Sequence, residues 1–153
     1  MRLPLLIAVV LLVLQACGSQ TINRHSIEGK LVAKIKSCQP AEVCTVRVKD
    51  VTNFDWDKIF VCKVVSQESV EKEVGFPLPE WEDFKRVTIF TRGGNLVRLE
   101  KNPTNIEHPI NEQLIFDVAD ADACGVYGPD SVFEVTPQSS REGVYYNLKL
   151  VRQ

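Results

Sequence analysis

Val87-Thr-Ile-Phe-Thr-Arg-Gly-Gly-Asn-Leu-Val-Arg-Leu-Glu-Lys101 holds the clearest structural signal of this 153-residue chain. Two runs rich in β-branched and aromatic residues, Val87–Arg92 and Asn95–Lys101, flank the pair Gly93-Gly94. A Gly-Gly pair between two such runs is typical of a two-residue hairpin turn, because glycine readily adopts the positive φ angles that this turn requires. The stretch therefore predicts a β-hairpin within an antiparallel sheet.

Further strands are predicted on both sides of this hairpin. Cys44-Thr-Val-Arg-Val-Lys-Asp50 alternates apolar and polar residues, as a half-buried strand does. Ile59–Val65 is apolar apart from one lysine, which predicts a central strand. The remaining predicted strands are Gln113–Val118 and a last hairpin made of Ser131–Thr136 and Val144–Val151, joined by residues 137–143.

Two helices are predicted as well. The first runs from a Ser26 cap to about Ser37, with apolar residues one turn apart on one face. Gly29 weakens this prediction, so an alternating strand over the same residues remains the alternative. The second helix covers Gln67–Val74 and stops at Gly75. Together these elements predict a single α+β domain with a mostly antiparallel sheet and one or two short helices.

The N-terminal residues have the pattern of a secretory signal that ends in a cysteine. Arg2 precedes an apolar run from Leu3 to Leu14, which is too short to cross a bilayer core of about 30 Å as a helix. The closing stretch Leu14-Gln15-Ala16-Cys17 resembles the lipobox of bacterial lipoproteins. The resemblance implies cleavage before Cys17 and acylation of that cysteine. An ordinary secretory signal, with Cys17 as a bystander, is the alternative.

This resemblance also implies a location and a domain organisation. Two or more acyl chains hold a protein stably on a bilayer, so a lipidated Cys17 would be a permanent lipid anchor. Gly18, rather than an aspartate, follows the cysteine, which in Gram-negative lipoproteins implies the outer membrane, facing the periplasm. We expect a signal peptide over 1–16, a lipidated cysteine and tether over 17–27, and a globular α+β domain over 28–153.

Composition limits the partners of the mature chain. Removal of residues 1–16 takes away one base, Arg2, and no acid, so the net charge falls from −2 to −3. No run of basic residues remains, which argues against a nucleic-acid partner. The remaining length is enough for one domain with its own core.

Of the five cysteines, Cys17 is the predicted lipid anchor, which leaves four others. Cys38, Cys44, Cys62 and Cys124 form an even set, which in an oxidising compartment predicts two disulfides. Four cysteines can form two disulfides in three different pairings. We favour Cys38–Cys44, because Gln39-Pro40 can turn the chain between them, and this leaves Cys62–Cys124.

No metal, cofactor or catalytic site is predicted. There is no Cys-x-x-Cys pair, and neither His25 nor His108 is near a cysteine in sequence. Within the predicted loop from Asp120 to Asp130, an acidic pattern partly follows the opening of an EF-hand, but Cys124 and Ser131 stand where calcium ligands are needed. Catalytic motifs such as Gly-x-Ser-x-Gly and His-Glu-x-x-His are absent from the sequence. We therefore expect a protein that is not an enzyme.

The most distinctive internal segment is Phe54-Asp-Trp-Asp-Lys58. It resembles the Trp-Asp-Lys segment of small bacterial lipoproteins, in which a hydrophobic strand, a short helix ending in glycine and a hairpin follow. The resemblance covers about Val46 to Lys101 and implies no activity. Trp56 and Asp57 are candidate partner-binding residues, because tryptophan is enriched in binding hot spots. The alternative is that Trp56 packs under the sheet while Asp57 caps a turn.

A second candidate surface is Phe76-Pro-Leu-Pro-Glu-Trp81, whose prolines predict a loop. Aromatic residues in loops often bind partners, so Phe76 and Trp81 are candidate binding residues. Loops of this composition also fold back over the edge of a core, and the sequence leaves both interpretations open.

From size, location and disulfides we expect a non-catalytic protein-binding lipoprotein of the inhibitor or immunity type, whose partner is an envelope or toxin protein. The alternatives are an envelope assembly accessory and a small-ligand carrier.

Overall fold

Two four-stranded sheets and two helices make up the described part of the chain. The computed structural model describes residues 20–39 and 42–152, so Cys17 and the predicted signal peptide lie outside the described residues. The elements in chain order are α1 (Ile27–Lys36), β1 (Thr45–Val46), β2 (Lys58–Cys62), α2 (Gln67–Val74), β3 (Lys85–Arg92), β4 (Asn95–Pro103), β5 (Leu114–Phe116), β6 (Cys124–Tyr127), β7 (Val132–Ser140) and β8 (Gly143–Arg152). The predicted α+β class is confirmed.

The strands pair in the orders β1-β7-β8-β5 and β4-β3-β2-β6. All neighbours are antiparallel except β5, which runs parallel to β8. The Gly93-Gly94 hairpin is confirmed as β3 and β4, and both glycines have positive φ angles, 56° and 78°. This hairpin forms one side of the second sheet.

The second sheet is buried on both faces, because successive residues of a strand point to opposite sides. On β2, Ile59 and Val61 face a core shared with α1 and the first sheet. Phe60 and Cys62 face a second core, which α2 and the segment after it cover. The sheet is therefore the middle layer of the domain, and the continuous apolar run of β2 follows from that position.

Helix α1 is fixed at its N-terminal end by hydrogen bonds and by the close approach of the chain that precedes it. The Ser26 side chain accepts a hydrogen bond from Gly29 N, and the carboxylate of Glu100 on β4 accepts one from Ile27 N at 2.9 Å. A Cβ on Gly29 would lie 2.2 Å from Asn23 O, so the close approach of the preceding chain requires glycine there. The predicted helix is confirmed, and the strand alternative is wrong.

The second helix is confirmed as well, from its Ser66 cap to Gly75 in the left-handed conformation. Strand β1 is much shorter than predicted, because the chain turns after Val46 into a short 3₁₀ helix at Val48–Val51. Asp50 in this turn pairs with Lys34 of α1 at 2.5 Å. The alternating pattern there reflects a turn packed on a helix and not an extended strand.

Two further strand predictions need correction. The predicted loop from Asp120 to Asp130 contains β6, which pairs with β2. The last hairpin is longer than predicted and continues through Pro137, with a tight turn between Ser140 and Gly143. Because β1 pairs only with Phe133 and Glu134, the outer edge of β7 at Pro137 has no ladder partner among the described residues, and proline is tolerated on such an edge.

Both of the favoured disulfides are present in the structure. Cys38 and Cys44 join the end of α1 to the start of β1, while Cys62 and Cys124 stand directly opposite each other on β2 and β6. The packed domain begins earlier than the predicted boundary at residue 28, since Ile22 is already buried. Neither helix of the described residues is long and apolar enough to cross a membrane.

Candidate functional site

Trp56 lies in the core and not on a binding surface. Its side chain is only 5% exposed, its ring meets that of Phe90 edge-on at 5.5 Å, and its indole N–H donates to Thr52 Oγ1 at 3.0 Å. Its ring is thus unavailable to a partner, and the prediction that Trp56 is a binding residue is corrected.

Asp57 fixes the turn of the β3–β4 hairpin. Its carboxylate accepts a hydrogen bond from Gly93 N at 2.6 Å, and its backbone N–H donates to Thr91 O at 2.9 Å. The exposed carboxylate therefore has a structural partner, which matches the turn-capping alternative. Since no described contact joins Asp57 to an aromatic surface, it does not form the expected aromatic-plus-acid anchor with Trp56.

The remaining candidates belong to a segment that we call the aromatic loop, residues 76–84. The loop begins after α2 and is tied back to it by Leu78, which is buried. Leu78 N donates to Glu71 Oε1 at 2.7 Å, and this hydrogen bond, with a second from Gln67, lowers the pKa of Glu71. The start of the loop is thereby fixed against the helix.

Phe76 and Trp81 cover the edge of the second core while remaining partly exposed. The indole N–H of Trp81 donates to Asp83 Oδ1 at 2.9 Å. Of the two sequence interpretations, the structure thus favours the one in which the loop folds back over the core. The loop is a packed part of the domain.

Ion pairs fix the far end of the loop to β4. Lys101 Nζ lies 2.7 Å from Glu82 Oε1 and 3.3 Å from Glu80 Oε2. The hydrogen bond from Lys101 lowers the pKa of Glu82, and the same contact raises the pKa of Lys101. Exposed pairs of this kind contribute little to stability, but several of them restrict where a loop can lie.

Phe84 is the residue that sequence reasoning missed. It is the last residue of the aromatic loop, its side chain is 83% exposed, and its backbone has a φ of 61°. A positive φ is rare for an aromatic residue and costs about 1–2 kcal/mol in an L-amino acid. No sequence pattern indicates this conformation, since Phe84 directly precedes a β-rich run and is equally compatible with a place in the sheet.

The aromatic loop itself is rich in acidic residues, although basic residues lie beside it: Lys85 follows Phe84, and Lys101 pairs with two of the acids. Residues 76–84 contain Glu80, Glu82 and Asp83 and no lysine or arginine. An exposed aromatic ring with charged neighbours has the composition of a small interface, in which an apolar centre is surrounded by a polar rim.

The described residues contain no cluster of three or more histidine, cysteine, aspartate or glutamate side chains that could hold a metal ion. In comparisons with known proteins, no family model, no curated protein and no solved structure matches this chain.

Proposed function

We propose that this protein is a lipoprotein anchored through Cys17 in the bacterial outer membrane, with its domain in the periplasm as a non-catalytic protein-binding module. The resemblance of residues 14–17 to a lipobox supports the anchor. Substitution Cys17→Ser tests it directly: metabolic labelling with palmitate should mark the natural protein and not the variant. Equal labelling of both proteins would contradict the anchor.

The observation that carries the binding role is the exposed ring of Phe84. Burial of a phenylalanine side chain is worth about 1.5–3 kcal/mol, and this ring stays in solvent. Its left-handed backbone adds a further cost, and such strained residues persist only where the surrounding structure imposes them. A partner that buries the ring would offset the cost of its exposure, while the contacts of the aromatic loop hold its backbone in place.

The supports of the aromatic loop fit this role. Leu78, Trp81 and Lys101 hold the loop through a buried side chain, a hydrogen bond and ion pairs. A binding element that is ordered before it meets its partner loses less conformational entropy on binding. We therefore assign Phe84 as the anchor of the interface, with the partly exposed faces of Phe76 and Trp81 beside it.

The partner is a protein of the envelope or a toxin that enters it, and the module is of the inhibitor or immunity type. An assembly accessory is the second candidate, and the identity of the captured protein separates the two. The experiment immobilises the soluble domain from Ser19 and compares capture from envelope extract and from supernatants of competing bacteria. Capture that depends on Phe84 supports the proposal, whereas capture that is indifferent to Phe84 contradicts the assigned surface.

A further inference from the structure

A cavity lies between the end of β2 and strand β5, and its wall includes no residue of the aromatic loop. Its volume is about 350 Å³, within the range of roughly 300–1,000 Å³ that is typical of small-molecule pockets. The wall is mainly apolar and includes Val61, Val64, Val65, Leu114, Phe116 and Val118. Such a wall favours a ligand with an apolar body, because burial of apolar surface drives its binding.

Most of the buried polar groups of the wall are hydrogen-bonded within the protein itself. The Gln113 amide oxygen accepts hydrogen bonds from Asn105 N at 3.0 Å and Ile110 N at 3.2 Å, and its amide nitrogen donates to Asn105 O. The Arg86 guanidinium is paired with the buried carboxylate of Glu28 and donates to Leu114 O, while its Nε atom has no hydrogen-bond partner among the described residues. A polar group placed beside Gln113 would therefore lose its hydration without gaining a partner, which is costly.

The mouth of the cavity is positively charged, unlike the mainly apolar wall, because Lys63 lies there. Lys63 and Val65 also line a shallow open depression beside α2, so they mark the boundary between the cavity and solvent. Lys63 Nζ donates to Ala119 O at 2.6 Å and Asp120 O at 3.2 Å. Among the described ion pairs none involves Lys63, although Asp120 and Asp122 also line the depression.

The apolar wall also continues outward. Ile106, in the segment after β4, belongs to the wall and is 74% exposed. An apolar wall that reaches solvent, next to a lysine whose charge has no carboxylate partner in the described structure, suits a molecule with one apolar chain and one negatively charged end.

We propose that this cavity binds a single-chain amphiphile with an anionic head group, such as a fatty acid or a lysophospholipid. The acyl chain lies against Val64 and Phe116, and the head group pairs with Lys63 at the mouth. A carboxylate and a phosphate share this chemistry, and the probes below distinguish them.

The test uses the full chain in isolated bacterial membranes. Three probes carry the same diazirine-labelled chain and differ only in the head group: a carboxylate, a phosphate or an uncharged alcohol. After illumination, peptide mapping should place the label on residues 61–65 and 114–118. We expect the alcohol probe to label about threefold less, since a partly exposed ion pair adds only modestly to binding. A stronger signal from the phosphate probe than from the carboxylate probe would assign the head group as phosphate.

Four variants complete the test. Lys63→Glu should reduce labelling by either anionic probe at least threefold, and Lys63→Arg should retain it. Lys149→Glu makes the same charge change at an exposed position of β8 and should have no effect. Val64→Trp, which fills the cavity from a half-exposed position, should abolish labelling while intact disulfides and resistance to protease report a folded domain. Label spread over the whole chain, or equal labelling of Lys63→Glu, Val64→Trp and the natural protein, would overturn the proposal.

Discussion

Glu28 on α1 and Arg86 on β3 form a buried ion pair that joins the helix to the middle sheet. The exposed fractions of the two side chains are only 4% and 9%. Leu114 on β5 completes the arrangement, because its N–H donates to Glu28 Oε1 at 2.9 Å and its carbonyl accepts from Arg86. One pair of side chains thereby connects a helix and a strand from each sheet.

Removal of one member of this pair should strongly destabilise the domain. Glu28→Leu or Arg86→Met leaves an unpaired buried charge, and we expect a loss of about 3–5 kcal/mol in the free energy of unfolding. The double variant should lose less than the sum of the two, because no charge remains buried. Urea unfolding of the domain from Ser19 measures all four proteins, and additive losses would show that the pair does not act as a unit.

Replacement of Phe84 by a residue that tolerates the left-handed region should stabilise the domain. Asparagine is such a residue, so we expect Phe84→Asn to raise the free energy of unfolding by about 1 kcal/mol. The control Phe84→Ala removes the ring but keeps a Cβ at the same positive φ, and its stability should be close to that of the natural protein. A less stable Phe84→Asn protein would show that the ring contributes to the fold.

The two disulfides should contribute unequally to the stability of the domain. Their loops span 62 and 6 residues, for which loop-closure entropy gives stabilisations of about 4 and about 2 kcal/mol. Paired Cys→Ala substitutions at Cys62 and Cys124, compared with those at Cys38 and Cys44, test this ratio by chemical unfolding. An equal or reversed order would mean that the closed loop is not the main source of stability.

Tyr127 should make the domain sensitive to alkali. Burial, aided by the charge of Asp117, raises the pKa of Tyr127 to about 12 from an ordinary value of 10.0. Because the folded pKa is the higher one, this stabilisation is complete below pH 10 and is lost as the pH rises through 12. The loss reaches about 3 kcal/mol at most.

Unfolding measured at several pH values should show this decline in the natural protein and a smaller one in Tyr127→Phe. At neutral pH the variant should also lose about 1 kcal/mol, since the Tyr127 hydroxyl donates to Asp117 O at 3.0 Å. An identical alkaline decline in both proteins would assign the effect to another group.

Much of the fold could be predicted because local rules decide it. The Gly93-Gly94 turn, the Ser66 cap and the Gly75 stop are set by residues next to one another in sequence. Strand β6 was missed because it depends on distant contacts: Cys124 enters the sheet opposite Cys62, although its neighbours have the composition of a loop.

The candidate site was harder to predict for the same reason. Trp56 is a typical hot-spot residue by type, yet its place against Phe90 depends on how the sheet packs. No sequence pattern distinguishes Phe84, because its exposure and its φ angle follow from the contacts that hold the rest of the aromatic loop. Sequence composition thus pointed to the aromatic loop but not to its most exposed ring.

The proposed interface has Phe84 as its anchor. The most direct measurement is quantitative capture by the immobilised domain from Ser19, carried out in parallel with Phe84→Asn and with Val43→Asn. Val43 is 71% exposed and lies outside the aromatic loop, so its variant controls for loss of an exposed apolar side chain. We predict one stoichiometric protein on the natural domain and on Val43→Asn, with at least a tenfold loss on Phe84→Asn. Equal capture by all three domains would contradict the role of Phe84 as the anchor.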